Sequence, residues 1–202
     1  MASSEEIAYY ERLKSGLEES VRLKQALWQD ENLMQQFQAI TSLCVATFRN
    51  GGKVLFCGNG GSAADAQHLA AELSGRYYFD RPPLFAEALA VNSAFLTAVS
   101  NDYSYEMAFA RMLQAIGAKG DVLFALSTSG NSPNILKTAE LARQMEVVVI
   151  GMTGADGGQL AAYCDYCIKI PSKDTPRIQE CHMLIGHLIC ELIEQQLFGK
   201  QL

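Results

Sequence analysis

Four side chains stand at spacings that could hold a metal ion. His68 and Glu72 are four residues apart, so on a helix both side chains lie on one face. Gln179 and His187 follow in the last predicted helix. Imidazole and carboxylate groups suit zinc, and the amide oxygen of glutamine is a weaker ligand. A single histidine on a helix is more often structural than a ligand, so zinc binding is a hypothesis at this point.

The spacing on the last helix leaves two arrangements open. Gln179 and His187 are eight residues apart, which separates their Cα atoms by about 12 Å along a helix. Either both side chains stretch toward one metal, or the ligands come from different subunits. His182 lies about 140° around the helix from His187, and we predict a structural role for it.

The segment Cys57-Gly-Asn-Gly-Gly-Ser62 is the first of two that could hold a phosphate group. It joins a predicted strand to a predicted helix, whose N-terminus offers free N–H groups that glycines leave accessible. A tight turn without a ligand is the alternative. A dinucleotide site is disfavoured because the next strand ends Ala90-Val91-Asn92, without the acidic residue that binds ribose. A P-loop is disfavoured because no Gly-Lys-Ser/Thr follows.

The segment Ser127-Thr-Ser-Gly-Asn-Ser132 is the second. It directly follows another predicted strand and combines hydroxyl groups with the start of a helix, a combination that suits a dianionic phosphate without Lys or Arg. A polar capping loop is the plain alternative. Two such loops at the carboxyl ends of neighbouring strands favour a phosphate site.

The elements that position these residues alternate between short apolar runs and helical patterns. Apolar residues at helical intervals predict a helix near the start of the chain (Ile7, Tyr10, Leu13, Leu17, Val21) and a second over 32–49. Predicted strands cover 53–57, 85–91, 121–126, 147–151 and 166–170. Predicted helices cover 62–74, 93–100, 105–116, 132–144 and 176–198, with a short helix from 157. We expect one α/β domain over 1–202, a five-stranded parallel sheet flanked by helices on both faces. The two helices within 1–50 precede the sheet, and we expect their apolar faces to pack partly on another subunit.

Composition excludes some functions. The 202 residues include 16 Lys and Arg against 22 Asp and Glu, a net charge of −6 that argues against a nonspecific nucleic-acid binder. No apolar run approaches the roughly 20 residues of a membrane span. The first residues lack the pattern of a signal peptide, so we predict a cytoplasmic protein with reduced thiols.

Cys164 and Cys167 have C-x-x-C spacing, but neither a helix N-terminus nor a second ligand pair is evident, which predicts structural cysteines.

The two loops together resemble a sugar isomerase (SIS) domain. The matching residues are Gly58-Asn-Gly-Gly-Ser-Ala-Ala-Asp65 and Ser127-Thr-Ser-Gly-Asn-Ser132. Over nearly the whole chain the sequence is similar to bacterial phosphoheptose isomerases, including the two leading helices, Asn101-Asp102, Thr153-Gly154-x-x-Gly-Gly158 and Arg177-Ile-Gln-Glu180. Pro176 departs from the pattern, because some members carry an acidic residue there, and we assign it no role.

This resemblance implies a flavodoxin-like fold and an aldose–ketose isomerase. The expected reaction converts sedoheptulose 7-phosphate to D-glycero-D-manno-heptose 7-phosphate through a cis-enediol, the first step of nucleotide-activated heptose and lipopolysaccharide biosynthesis. The resemblance also implies a homotetramer with active sites between subunits. It implies one zinc per subunit on His68, Glu72, Gln179 and His187, with Glu72 as general base and His187 as its acid–base partner. We expect zinc mainly to orient the sugar oxygens and polarise the carbonyl. The implied substrate-binding residues are Asn59, Gly60, Gly61, Ser62, Glu72, Asn101, Asp102, Ser127, Thr128, Ser129, Ser132 and Gln179.

Two alternatives belong to the same superfamily. A non-catalytic relative assists the DnaA replication initiator, but members of that branch lack the glutamate and final histidine that stand here as Glu72 and His187. Another SIS enzyme, such as an etherase acting on a phosphorylated amino sugar, would normally have a longer chain.

Overall fold

Five short apolar segments form a parallel sheet at the centre of the chain. The computed structural model describes residues 4–199, with strands β1 Val54–Gly58, β2 Ala86–Ala88, β3 Val122–Ser127, β4 Val148–Thr153 and β5 Tyr166–Lys169. Their order is β2-β1-β3-β4-β5, and every neighbouring pair is parallel. Both β1 and β3 are buried at every position, as a sheet covered on both faces requires. The predicted five-stranded α/β sheet is therefore confirmed.

In the described part of the chain, seven α-helices surround the sheet. They are α1 Ser4–Gln29, α2 Glu31–Arg49, α3 Gly61–Ser74, α4 Ser93–Asp102, α5 Ala108–Ile116, α6 Pro133–Gln144 and α7 Thr175–Phe198, with short 3-10 helices at Tyr105–Met107 and Gln159–Tyr163. Alternate residues of β1 point to opposite faces, so Phe56 joins the core beneath α2, α3 and α7, whereas Leu55 joins the core beneath α5 and α6. Within residues 4–199, no helix has the length and apolarity that crossing a bilayer requires.

One strand is shorter than predicted. The apolar pattern predicts a strand over 85–91, but β2 covers only three residues. This strand lies at the edge of the sheet and pairs only with β1. After it the chain turns, with the Val91 N–H donating to the Ala88 carbonyl, before α4 begins. Edge strands are commonly this short.

The two leading helices form as predicted, and α1 keeps its apolar face exposed. Asp30 separates α1 from α2 and caps α2 by accepting a hydrogen bond from the Leu33 N–H. Tyr10, Leu13, Leu17 and Val21 of α1 are each more than half exposed; the side chain of Ile7 lies outside the described residues. In this single chain no element covers that described part of the face, which keeps the prediction of a partner subunit open.

Candidate functional site

The two predicted phosphate loops lie side by side. They follow β1 and β3, which pair directly, with Gly58 opposite Leu126. The strand order reverses between β1 and β3, and in open α/β sheets ligands bind beyond the carboxyl ends of the strands at such a point. The fold therefore places both loops where a ligand of this sheet would bind.

Glycines give the first loop its shape. A Cβ on Gly58 would overlap the backbone of Ser62, so the turn into α3 is too tight for any side chain there. Gly60 has φ +54 and precedes α3 without a side-chain cap. The first N–H groups of α3, on Gly61 and Ser62, have no acceptor within the helix. Ser62 is only 5% exposed, so little of this residue faces solvent.

The second loop holds its hydroxyl groups together. Ser127 Oγ and Ser132 Oγ lie 3.2 Å apart, and Gly130, with φ +64, donates its N–H to the Ser127 carbonyl. Ser129 is exposed and Thr128 is half-buried. The Thr128 carbonyl accepts a hydrogen bond of 3.0 Å from the Gly154 N–H, which fixes the loop against the end of β4.

Asn59 connects the two loops through residues that the sequence did not single out. Its amide exchanges two hydrogen bonds of 2.8 Å with the buried amide of Asn134 on α6, and its Oδ1 also accepts from the Tyr105 hydroxyl at 2.7 Å. Asn101 and Asp102 form the last turn of α4, just before Tyr105, where both are exposed and the Asn101 amide donates to the Asp102 carboxylate.

Three of the four predicted metal ligands converge between α3 and α7. His68 Nε2 lies 2.8 Å from His187 Nε2 and 3.1 Å from Glu72 Oε1. One donor atom from each of the three residues lies within 4.8 Å of the others. We call His68, Glu72 and His187 the triad. The side chains of His68 and Glu72 are 50% and 25% exposed, so a small molecule can reach them.

A glycine allows this convergence. Gly186 precedes His187 on α7, and a Cβ there would lie 2.5 Å from Leu69 Cδ2, inside any real contact distance. Leu69 follows His68 on α3 and is 1% exposed. The absent side chain therefore lets α3 and α7 approach closely beside the two histidines.

Gln179 lies elsewhere on α7. Its amide group occupies the space that a Cβ on Gly61 would take, so it faces the first loop of its own chain. Gly61 precedes His68 by seven residues, about 10 Å along α3. This contact favours Gln179 as a ligand of the substrate at the loop, and its predicted role as a fourth metal ligand stays a prediction.

A buried ion pair holds the segment after α3, and the sequence did not reveal it. Arg81 and Glu194 have side chains that are each 1% exposed, and Arg81 Nε donates to Glu194 Oε1 at 2.8 Å. Arg81 also donates to the backbone carbonyl of Glu72 at 2.9 Å. Glu194 accepts from the N–H groups of residues 77–79, and the Tyr77 ring centroid lies 6.0 Å from that of His187. The Arg81–Glu194 pair thus contacts the backbone of Glu72 on α3 and also holds Tyr77, whose ring lies near His187 of α7.

His182 lies apart from the triad, as predicted. It is fully buried, and its Nε2 is 3.2 Å from the Thr153 carbonyl. Burial lowers the pKa of His182 to about 4, and the hydrogen bond to Thr153 opposes this only in part. It is therefore neutral at neutral pH and belongs to the core.

The chain is similar to known proteins over most of its length. The SIS domain family matches residues 18–154. A phosphoheptose isomerase of Aneurinibacillus thermoaerophilus is 49% identical over 189 residues, 94% of this chain and 96% of that protein. Phosphoheptose isomerase 2 of Campylobacter jejuni is 50% identical over 93% of this chain and 94% of its own. The structure of phosphoheptose isomerase GmhA from Neisseria gonorrhoeae superposes with a TM-score of 0.87 at 39% identity, covering 93% of this chain and 99% of that one.

Proposed function

Because this chain belongs to the phosphoheptose isomerases of the SIS domain family, we propose that its triad and its two loops carry out the isomerisation of sedoheptulose 7-phosphate. The chain is an aldose–ketose isomerase that acts on a phosphorylated sugar. The observation that carries the assignment of the chemistry to named residues is the convergence of His68, Glu72 and His187, on the helix that follows the first loop and on α7.

The reaction moves one proton between adjacent carbons through a cis-enediol. Glu72 would take the proton from the carbon beside the carbonyl and return it to the neighbouring carbon. His187 would donate a proton to the carbonyl oxygen and accept one from the adjacent hydroxyl. Both groups must reach the same two carbons and their oxygens. Glu72 lies 3.1 Å from His68 on the same helix, and His187 lies 2.8 Å from His68 on α7.

The phosphate group would bind at the two loops. Donors without a net positive charge would come from the first N–H groups of α3 and from the hydroxyl groups of Ser127, Thr128, Ser129 and Ser132. An overall charge of −6 is therefore compatible with an anionic substrate. The proposed sugar-binding set is completed by Asn59, Gly60, Gly61, Ser62, Gln179, Asn101 and Asp102.

The triad fits a zinc ion. Two imidazole nitrogens and a carboxylate are the donors that zinc prefers, and ligands of a tetrahedral zinc lie about 3.3 Å apart, close to the 2.8 and 3.1 Å observed here. We propose that His68, Glu72 and His187 hold one zinc per subunit, with Gln179 as a further candidate. When bound, zinc would supply a Lewis acid that polarises the carbonyl and orients the sugar oxygens.

The experiment follows the conversion of sedoheptulose 7-phosphate to an aldose by the purified protein. Glu72→Gln should lower kcat by roughly 100-fold or more, since a positioned general base contributes this much, while the substrate still binds. Glu140→Gln, an exposed carboxamide substitution on α6, is the matched control and should leave kcat unchanged. Near-normal turnover in the Glu72 variant would disprove its role as the base.

A chelator tests the metal separately. Loss of activity on chelation and its return with zinc would support the metal site, and the His68→Ala variant should then bind less zinc by elemental analysis whatever its activity. Full activity in metal-free protein would refute the zinc proposal and leave the proton-transfer proposal intact.

We also propose that the chain is one domain that assembles as a homotetramer, with the exposed face of α1 in a subunit interface. Tyr10, Leu13 and Leu17 expose an apolar stripe of the kind that marks protein contacts. Light scattering should give four times the mass of the chain, and Leu13→Glu together with Leu17→Glu should reduce it. A wild-type monomer would refute the proposal.

The cytoplasmic location stays a prediction. The DnaA-binding alternative requires the loss of Glu72 and His187, both of which stand in the triad.

A further inference from the structure

Two thiol groups meet outside the active site, beside β4. Cys164 ends the 3-10 helix Gln159–Tyr163, and Cys167 lies on β5. A Cβ on Gly151 of β4 would lie 2.5 Å from Cys164 Sγ and 3.6 Å from Cys167 Sγ. Both sulfur atoms therefore face the same position on β4. The glycine thus leaves the space that both thiols share.

Both thiols border an open cleft. The cleft of about 560 Å³ lies between the start of α2 and β5, and its lining includes both cysteines, Gln36 and Lys169. Cys164 and Cys167 are each only half-buried. A small polar oxidant can therefore reach the sulfur atoms from solvent.

The surroundings distinguish the two thiols. The neighbouring Cys164 thiol, the Thr153 hydroxyl at 3.8 Å and the Lys169 ammonium together outweigh burial and lower the pKa of Cys167. The same pairing, together with burial, raises the pKa of Cys164, whose Sγ donates its one hydrogen to the Leu160 carbonyl at 3.1 Å. The Lys169 ammonium and the Thr153 hydroxyl thus favour Cys167 as the nucleophile, and Cys164, which shares the space at Gly151, is placed to react with it next.

The remaining four cysteines lack these features. Cys44, Cys57, Cys181 and Cys190 are buried, and desolvation raises the pKa of each thiol. Burial and a raised pKa both make a thiol unreactive. They serve as internal controls.

We propose that Cys167 and Cys164 form a modification site, a dithiol that hydrogen peroxide converts to an intramolecular disulfide. The Cys167 thiolate attacks one peroxide oxygen: an S–O bond forms, the O–O bond breaks, and the hydroxide released takes up the thiol proton as water. Cys164 then attacks the Cys167 sulfur: the S–S bond forms, the S–O bond breaks, and a second water leaves with the Cys164 proton. Two thiols and one peroxide thus give one disulfide and two waters.

The test uses the purified full chain treated with hydrogen peroxide, blocked with an alkylating agent and digested with trypsin. Cleavage after Arg143 and Lys169 gives one peptide, residues 144–169, that contains Cys164 and Cys167 and no other cysteine. This peptide should lose two hydrogens in mass and gain no alkyl group. Before oxidation, iodoacetamide at pH 7 should label Cys167 on the order of tenfold faster than any other cysteine.

Serine variants separate the roles. Cys167→Ser should abolish the reaction with peroxide, whereas Cys164→Ser should leave a sulfenic acid on Cys167 that dimedone captures. Cys181→Ser, the matched control, should form the disulfide at the wild-type rate. Failure of peptide 144–169 to change in mass, or capture of dimedone at another cysteine instead, would overturn the proposal.

Discussion

Replacing Glu194 by glutamine should destabilise the protein strongly, although it only exchanges one carboxylate oxygen for an NH₂ group. The Glu194 carboxylate accepts four hydrogen bonds of 2.6 to 3.0 Å, from Arg81 Nε and from the N–H groups of Tyr77, Tyr78 and Phe79. Each carboxylate oxygen accepts two of them. An amide has one acceptor oxygen, so whichever way it turns, two donors would face an NH₂ group.

The size of the effect follows from this count. Each buried donor that loses its acceptor costs about 1–3 kcal/mol, and Arg81 keeps a charge that is 1% exposed and no longer paired. Removing one partner of a buried ion pair typically costs about 3–5 kcal/mol, and we expect a loss of free energy of unfolding in that range. For a chain of this length the melting temperature should fall by about 10 °C.

Urea unfolding followed by circular dichroism at fixed protein concentration measures this loss. Glu191→Gln is the matched control, because Glu191 lies on the same helix, is half-buried and accepts only from the Gln195 side chain among the contacts described for residues 4–199. The control should change stability by less than about 0.5 kcal/mol. Activity should fall too, since Arg81 also holds the Glu72 carbonyl.

Lowering the pH provides a second check. Burial raises the pKa of Glu194, but the three backbone N–H groups and Arg81 outweigh it, so the pKa lies below the usual 4.5. A lowered carboxyl pKa stabilises the fold above the unfolded pKa, and this contribution is lost as the pH falls through the folded pKa. The difference between wild type and Glu194→Gln should therefore shrink in acid. A difference below about 1 kcal/mol at pH 7 would refute the reasoning.

Further substitutions test the other parts of the site. Gly186→Ala should lower the free energy of unfolding by about 1–3 kcal/mol through overpacking. It should also move His187 away from His68, which should lower kcat and weaken zinc binding. Gly61→Ala should leave the fold intact but displace the amide of Gln179, raising KM by roughly tenfold; an unchanged KM would remove Gln179 from the substrate site. His182 has a folded pKa of about 4 against 6.5. Since the unfolded chain takes up this proton first, the free energy of unfolding should fall by about 1.4 kcal/mol per unit as the pH drops from 6.5 toward 4, and His182→Gln should remove that slope in denaturant titrations.

The features that the sequence predicted are those encoded by neighbouring residues. The two loops are visible because glycine and serine cluster where a strand gives way to a helix, and the paired strands then bring the loops together. Glu194 carries no such local sign: it stands among polar residues near the end of α7, and its partner Arg81 lies 113 residues away. Asn134 reads as a residue of a helix start, and only its contact with Asn59 shows that it connects the loops.

The spacing of Gln179 and His187, which left two arrangements open, is explained by how α3 and α7 pack. The two helices run parallel, because Gly61 meets Gln179 near the start of both, whereas Leu69 meets Gly186 and His68 meets His187 about two turns further along both. The seven residues from Gly61 to His68 on α3 thus run beside the eight from Gln179 to His187 on α7. Gln179 and His187 therefore each meet a different residue of α3 and need not converge on one metal ion. Gln179 lies at the loop end of the helix pair and His187 at the end that holds the triad, about 10 Å apart. A seven-carbon sugar phosphate is long enough to touch both ends, so under the proposed function one substrate molecule could contact Gln179 and His187 at the same time.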